Sequence, residues 1–372
     1  MTNQLMPRRQ FLSLSAAGIL ASGAGRALGA QAKQPSVVWH DVREWGVEGR
    51  GFDDTEKYFD RLPARAKKTV RGAVWNLSRH SAGMLVRFRT DASSIWADHV
   101  VTSAGLALPH MPATGVSGLD LYGEDTQGNV RWIAVTRPTK REMKTQLVSG
   151  LLPGQRNYTI YLPLYNGTES LKVGVPVGAK FEPIAPRKDN PLVFYGTSIT
   201  HGACASRPGM PHPAILGRRL NRPVINLGFS GNGKMEEAVG EFLTELDPAV
   251  YVIDCLPNMV GPEVAARTEP LVHQLRKARP KTPIVLVEDR TYANTPFLPS
   301  RQTRHDAARG ALKTAYANLQ KAGVKGLSYL EGQKLLGDDR DDTTDGSHPS
   351  DLGFHRHAEA FEPVLRAALA KA

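Results

Sequence analysis

The hydrophobic rhythm of the chain changes near residue 185, and that change constrains the fold more than any other feature. Beyond it, short apolar runs alternate with segments of helical periodicity. Leu192–Tyr195, Val224–Leu227, Val250–Ile253 and Ile284–Val287 are continuous apolar runs of strand length, and Gly326–Leu330 is a weaker fifth. Such runs read as strands buried on both faces. Helical stretches lie between them at Glu236–Leu246 and Leu271–Ala278. The clearest is Ala307–Lys321, with Leu312, Ala315 and Leu319 at helical spacing, and Asp351–Ala370 reads as a final helix. The alternation predicts an α/β domain over residues 191–372, a doubly wound parallel sheet with helices on both faces. In such sheets the site lies at the carboxyl ends of the strands.

Before residue 185 strand signals dominate. Met84–Thr90, Ser94–Val101, Gly118–Tyr122, Val130–Thr136, Tyr158–Leu164 and Leu171–Val175 are short and rich in β-branched or aromatic residues. Tyr158, Ile160, Leu162 and Leu164 alternate, as on a strand with one buried face. Gly128-Asn129 and Asn166-Gly167 fall between such runs and predict hairpin turns. No long amphipathic helix pattern occurs between Val38 and Val177. Residues 33–182 are therefore expected to form an antiparallel β-sandwich or jelly roll. Residues 183–190, with Pro183, Pro186 and mixed charge, read as a linker.

Residues 1–32 read as an export signal. Arg8-Arg9-Gln10-Phe11-Leu12 leads into the small-residue apolar run Leu14–Leu20, with cleavage expected after Ala30 or Ala32. The run is too short and too rich in Gly and Ser to span a bilayer. The expected destination is periplasmic or secreted, with the twin-arginine machinery as a partner. Removing Arg8, Arg9 and Arg26 with no acid lowers the net charge from +11 to 11 − 3 = +8. Because no Lys/Arg cluster is interleaved with aromatics, that balance does not point to nucleic acid.

The two cysteines, Cys204 and Cys255, form no CxxC or CxxH spacing, which argues against structural zinc. They follow strands expected to be neighbours, and an oxidising compartment would permit a disulfide between them. The alternative is two buried thiols packing as small apolar groups.

Four segments carry candidate chemistry. Ser198 sits in Gly196-Thr-Ser-Ile-Thr-His-Gly202, directly after the first strand run, where a strand-to-helix turn would expose its hydroxyl and add the positive end of a helix. Asn226–Gly233 follows the second run, and its glycines would let the Gly231 N–H point at an oxyanion. It lacks the lysine of a P-loop and the spacing of a dinucleotide-binding loop. Asn258 leaves the third run after Pro257 and offers an amide donor. Asp345 and His348 stand three apart before the final helix. One turn there could orient the imidazole through Nδ1 and leave Nε2 free to take a serine proton. His355 and His357 read as helix-surface residues.

These blocks resemble the SGNH hydrolase superfamily, the GDSL-type esterases. The stretch Gly196–Gly209 is similar to a subgroup with a β-sandwich before the hydrolase domain. The resemblance implies a flavodoxin-like sheet and assigns Ser198 as nucleophile, with His348 and Asp345 completing a triad. It makes Ser198, Gly231 and Asn258 the oxyanion donors. Two positions depart from the pattern. Thr197 replaces the usual Asp before the serine, and Leu256-Pro257-Asn258-Met259 replaces Gly-x-Asn-Asp.

The function expected is an exported serine esterase that removes short acyl groups, acetyl above all, from oligo- or polysaccharide, with no metal or organic cofactor. Thr197, Thr200, His201, Asn232 and Arg207 are polar and suited to sugar hydroxyls. The rivals are a lipase or thioesterase acting on longer chains, and a carbohydrate-binding protein with a decayed hydrolase domain.

Overall fold

Nine strands build the N-terminal half: β1 (Val37–Asp41), β2 (Leu85–Thr90), β3 (Ser94–Val101), β4 (Asp120–Glu124), β5 (Val130–Val135), β6 (Glu142–Ser149), β7 (Arg156–Tyr161), β8 (Thr168–Pro176) and β9 (Phe181–Ile184). Short helices α1 (Gly72–Ser78) and α2 (Ala113–Val116) interrupt them. This computed structural model describes residues 36–371. The segment expected to be an export signal, residues 1–32, lies outside the described residues. The strands form two antiparallel sheets, ordered β1-β8-β3-β6 and β5-β4-β7-β2-β9. Alternate side chains point inward: Val86 and Phe88 of β2, Ile95 and Ala97 of β3, and Leu171 and Val173 of β8 share one core.

Gly128-Asn129 does join the paired strands β4 and β5. Asn166-Gly167 is not a hairpin, because β7 and β8 belong to different sheets. The turn crosses between them, and the Asn166 amide is buried. It accepts from the Ser103 N–H at 3.0 Å and donates to the Ser117 hydroxyl at 3.0 Å. Strand β6, mostly exposed and polar, was silent in the hydrophobic pattern. Strand β9 runs into the segment expected as linker. It is an edge strand on β2, where Pro183 opposite Phe88 is tolerated.

The segment between β1 and β2 leaves the sandwich. Phe52, Leu62, Val70, Val74 and Trp75 pack in the same core as Val239, Phe242 and Leu243 of the C-terminal half.

That half contains β10 (Leu192–Gly196), β11 (Val224–Gly228), β12 (Val250–Asp254), β13 (Ile284–Val287) and β14 (Leu327–Leu330). Its helices are α3 (Ser198–His201), α4 (His212–Arg219), α5 (Glu237–Glu245), α6 (Gly261–Ala278), α7 (Pro299–Lys321) and α8 (Asp351–Leu369). The sheet is parallel with order β11-β10-β12-β13-β14, the flavodoxin-like arrangement. Residues alternate between two cores. Val193, Tyr195, Tyr251 and Ile253 face α5, α6 and α7, while Leu192, Phe194, Val250 and Val252 face α4 and α8. Helices α6 and α7 begin well before their apolar periodicity does, and proline in the first turn starts each. Among the described residues no helix is long and apolar enough to cross a membrane.

Candidate active site

Strand β10 ends at Gly196, and Thr197 caps α3 by accepting from the Ile199 N–H at 3.3 Å. Ser198 is thus the first residue of a helix, where backbone N–H groups lack intrahelical acceptors. The Ser198 Oγ lies 2.8 Å from His348 Nε2, across 150 residues of sequence. On the other side of the ring, His348 Nδ1 lies 2.7 Å from Asp345 Oδ2. Asp345 Oδ1 accepts from the backbone N–H of His348 at 2.8 Å and of Ser347 at 3.0 Å, so one turn fixes both ends of the pair. Partial burial alone would raise the Asp345 carboxyl. The His348 N–H and imidazole, with the Ser347 N–H, outweigh burial and hold it below the usual carboxylate range.

The loop after β11 stacks on this turn. The Phe229 N–H donates to the Gly196 carbonyl at 2.9 Å. A Cβ on Gly233 would lie 1.9 Å from that same oxygen, so only glycine permits the approach. Gly231 has φ of +69° in the left-handed region, and its N–H has no hydrogen-bond partner among the described residues. Asn258 ends a short 3₁₀ turn after β12. Its amide is assigned with the oxygen toward the Asn232 and Gly233 N–H groups, at 2.9 and 3.1 Å, which frees its NH2 as a donor. The structure therefore brings Ser198, His348 and Asp345 together in one relay, and the Asn258 amide bonds the loop that carries Gly231. The relay supplies a polarised hydroxyl with a base behind it, the arrangement a serine nucleophile needs.

Several neighbours escaped the sequence. Asp289, two residues past β13, is fully buried beside Arg290, Arg304 and His305. Burial alone would raise its carboxyl, but the Arg290 guanidinium, the His305 ring beside it and the Arg304 guanidinium outweigh burial and hold it well below the usual range. Arg290 Nε donates to the Ser347 carbonyl at 2.9 Å, and Arg304 donates to the carbonyls of Pro257 and Met259. The cluster therefore ties the His348 turn to the Asn258 turn. The sandwich half also reaches the site. His110 places its ring 6.0 Å from that of His348, and the Tyr165 hydroxyl donates to the Ser198 carbonyl at 3.4 Å. Asp120 accepts from Arg207 at 2.9 Å and from the Gly209 N–H at 2.8 Å, holding the chain that follows α3. It belongs to Gly118-Leu-Asp-Leu-Tyr122, a motif whose strand character alone had been legible.

Other expectations are corrected. Thr197, Thr200 and His201 are buried, not sugar-facing: Thr200 donates to Asp254 at 2.9 Å, and His201 meets the Leu164 carbonyl at 2.7 Å. Asn232 and Arg207 are taken up by Arg71 and Asp120. His357 is buried on α8, with Nδ1 3.1 Å from the Gly353 carbonyl, whereas His355 is exposed as read. Cys204 and Cys255 are both free thiols. They pack in separate cores, one on each face of the sheet, so adjacent strands did not make them adjacent.

The sequence model of the GDSL-like lipase/acylhydrolase family matches residues 189–366, and that for the N-terminus of SGNH-hydrolase-type esterases matches residues 37–181. The latter is named for Gly-x-Asp-Leu-Tyr, the motif at Gly118–Tyr122. No curated protein sequence matches the chain. Among solved structures, a protein described as a GDSL-like lipase from Bacteroides ovatus is 31% identical, with 91% of this chain and 99% of that one covered and a TM-score of 0.86. A salicylyl-acyltransferase from a tetracycline biosynthetic pathway shares the fold at 19% identity, 91% and 98% coverage and a TM-score of 0.71. A family two carbohydrate esterase from Cellvibrio japonicus shares it at 13% identity, 90% and 98% coverage and a TM-score of 0.60. The chain belongs to the GDSL-like lipase/acylhydrolase family of SGNH hydrolases and is a carboxylic ester hydrolase.

Proposed function

We propose that the protein is an exported serine esterase that removes short acyl groups, principally acetyl, from carbohydrate. The observation that carries this reading is the relay from Asp345 through His348 to Ser198, with distances of 2.7 and 2.8 Å. Ser198 Oγ attacks the ester carbonyl while His348 Nε2 takes its proton. The N–H groups of Ser198 and Gly231 and the Asn258 amide receive the oxyanion. His348 then returns the proton to the leaving alcohol, and water repeats the sequence to free the acid. Asp345 holds the imidazole and stabilises its charged form.

The acyl preference rests on the open placement of the serine at the sheet edge. Loop residues there suit a small acyl group on a bulky alcohol, and each extra methylene gains about 0.8 kcal/mol only where an apolar channel receives it. The carbohydrate side is supported by the likeness to a carbohydrate esterase. Export rests on Arg8-Arg9 and the apolar run behind them.

The test compares turnover of acetyl, butyryl and octanoyl p-nitrophenyl esters, followed by acetate release from acetylated plant and bacterial polysaccharides. The acetyl ester should be cleaved fastest and at least one polymer should release acetate. Faster octanoyl cleavage with no acetate from any polymer would place the protein among lipases.

A further inference from the structure

The loop that presents Gly231 is held by a segment from the other half of the chain. Arg61 and Arg71 lie between β1 and β2 in sequence, the stretch that leaves the sandwich to join the C-terminal core. Arg61 is fully buried. It donates to the carbonyls of Asn226 at 3.0 Å and Gly228 at 2.8 Å, at the base of the loop. Its remaining donors go to the Leu77 and His80 carbonyls at 2.6 and 2.9 Å. No carboxylate pairs with it among the described residues, and burial pushes its pKa down to about 9. A guanidinium placed this way is expensive, because carbonyls only partly replace the water it has lost. Arg71 grips the far end. It donates to Asn232 Oδ1 at 2.7 Å and to the Asn232 carbonyl at 3.2 Å, and it pairs with Glu236. Gly231 stands between these two anchors.

We propose that Arg61 and Arg71 are positioning residues that fix the Gly231 N–H toward the oxyanion, so that the N-terminal half of the chain completes the hydrolase site. The inference rests on the esterase reading. A loop containing a left-handed glycine and the left-handed Met235 has no regular hydrogen-bond ladder to hold it. An oxyanion donor is useful only if its aim is set before charge develops. Arg61 sets where the loop leaves the sheet, and Arg71 sets where it returns toward α5.

Arg61→Met tests the buried anchor but puts folding at risk. Arg71 is 43% exposed, so Arg71→Ala in the full chain tests the clamp without opening the core. The assay measures kcat and KM for p-nitrophenyl acetate, and inhibition by a trifluoromethyl ketone, which forms a tetrahedral adduct on the serine, and by acetate. Arg71→Ala should lower kcat about tenfold to a hundredfold, the scale of a misplacement near 1 Å, with KM close to wild type. Ketone affinity should fall by a similar factor while acetate inhibition holds, since only the tetrahedral species uses the hole. Arg71→Lys, which keeps the charge but not the fork, should recover part of the loss. In an Asn258→Ala background the same substitution should cost less than in wild type. An active wild type whose Arg71→Ala variant keeps kcat and ketone affinity would overturn the clamp. A wild type that cleaves no ester would instead overturn the esterase reading.

Discussion

Arg304 Nη1 lies 2.9 Å from Asp289 Oδ2, and the other end of the same guanidinium donates to the carbonyls of Pro257 and Met259 at 2.8 and 3.0 Å. One buried carboxylate thereby sets the position of the turn that carries Asn258. Through Arg290, the same carboxylate also bears on the carbonyl preceding His348. The donor side and the base side of the site share this root.

Replacing Asp289 by Asn should leave Arg290 and Arg304 without their counter-charge and alter the acceptor beside His305. Breaking a buried pair in this way costs about 3–5 kcal/mol, which lowers the melting temperature by roughly 10 °C in a protein of this size. Arg304→Ala should be milder in stability and should act mainly on kcat, because it releases the Asn258 turn. Calorimetry and steady-state kinetics on the two variants check this pair of outcomes. An Asp289→Asn protein melting with the wild type would show that the charge is not needed there.

Ser198→Ala should abolish ester hydrolysis, and His348→Ala should be nearly as harmful, each by several orders of magnitude, since the relay acts as a unit. Asn258→Ala should cost on the order of a hundredfold to a thousandfold in kcat, as removal of one oxyanion donor does. Circular dichroism should show all three folded. Near-wild-type turnover in Ser198→Ala would end the serine mechanism.

Asp254, at the end of β12, is buried and accepts from Thr200 at 2.9 Å. Burial raises its pKa to about 7, with nearby Asp289 adding to the rise, while Thr200 and Arg290 oppose it. In the unfolded chain an aspartate titrates near 4. Between these values the folded state holds a proton that the unfolded state has lost, so stability falls as pH rises from about 4 to about 7. The contribution is complete below that window and gone above it. An Asp254→Asn variant should lack this slope, and its melting temperature relative to wild type should climb by several degrees between pH 5 and pH 8. A pH-independent difference would contradict the assignment.

Both cysteines should titrate with a thiol reagent only after unfolding. Cys204 is almost buried and burial raises its thiol to about 11, while Cys255 is wholly enclosed and burial pushes its thiol well above the usual range. Low thiolate fraction and poor access both slow reaction. Mass spectrometry of the unreduced, unfolded protein should find two alkylated thiols, and a mass two hydrogens lower with none would restore the disulfide.

Sequence by itself determined the division of the chain into an all-β half and an alternating half. It also determined the parallel sheet and the loops that bear Ser198, Gly231, Asn258, Asp345 and His348. These were legible because buried parallel strands are continuous apolar runs and because polar residues directly after them stand at one sheet edge. The edge strands β6 and β9 were not legible, since a polar or proline-bearing edge carries little periodicity. Tertiary structure alone decided which polar residues near the serine face outward. Thr200 and His201 share the Ser198 helix, but their side chains turn into the core to meet Asp254 and the Leu164 carbonyl. It alone separated Cys204 from Cys255, because side chains leaving one sheet edge can fall on opposite faces. And it alone brought Arg61, Arg71, His110 and Tyr165 to a site more than a hundred residues downstream in sequence for most of their contacts. Long-range packing of that kind is set by the complementary surfaces of two folded halves, and no local pattern in either half encodes it.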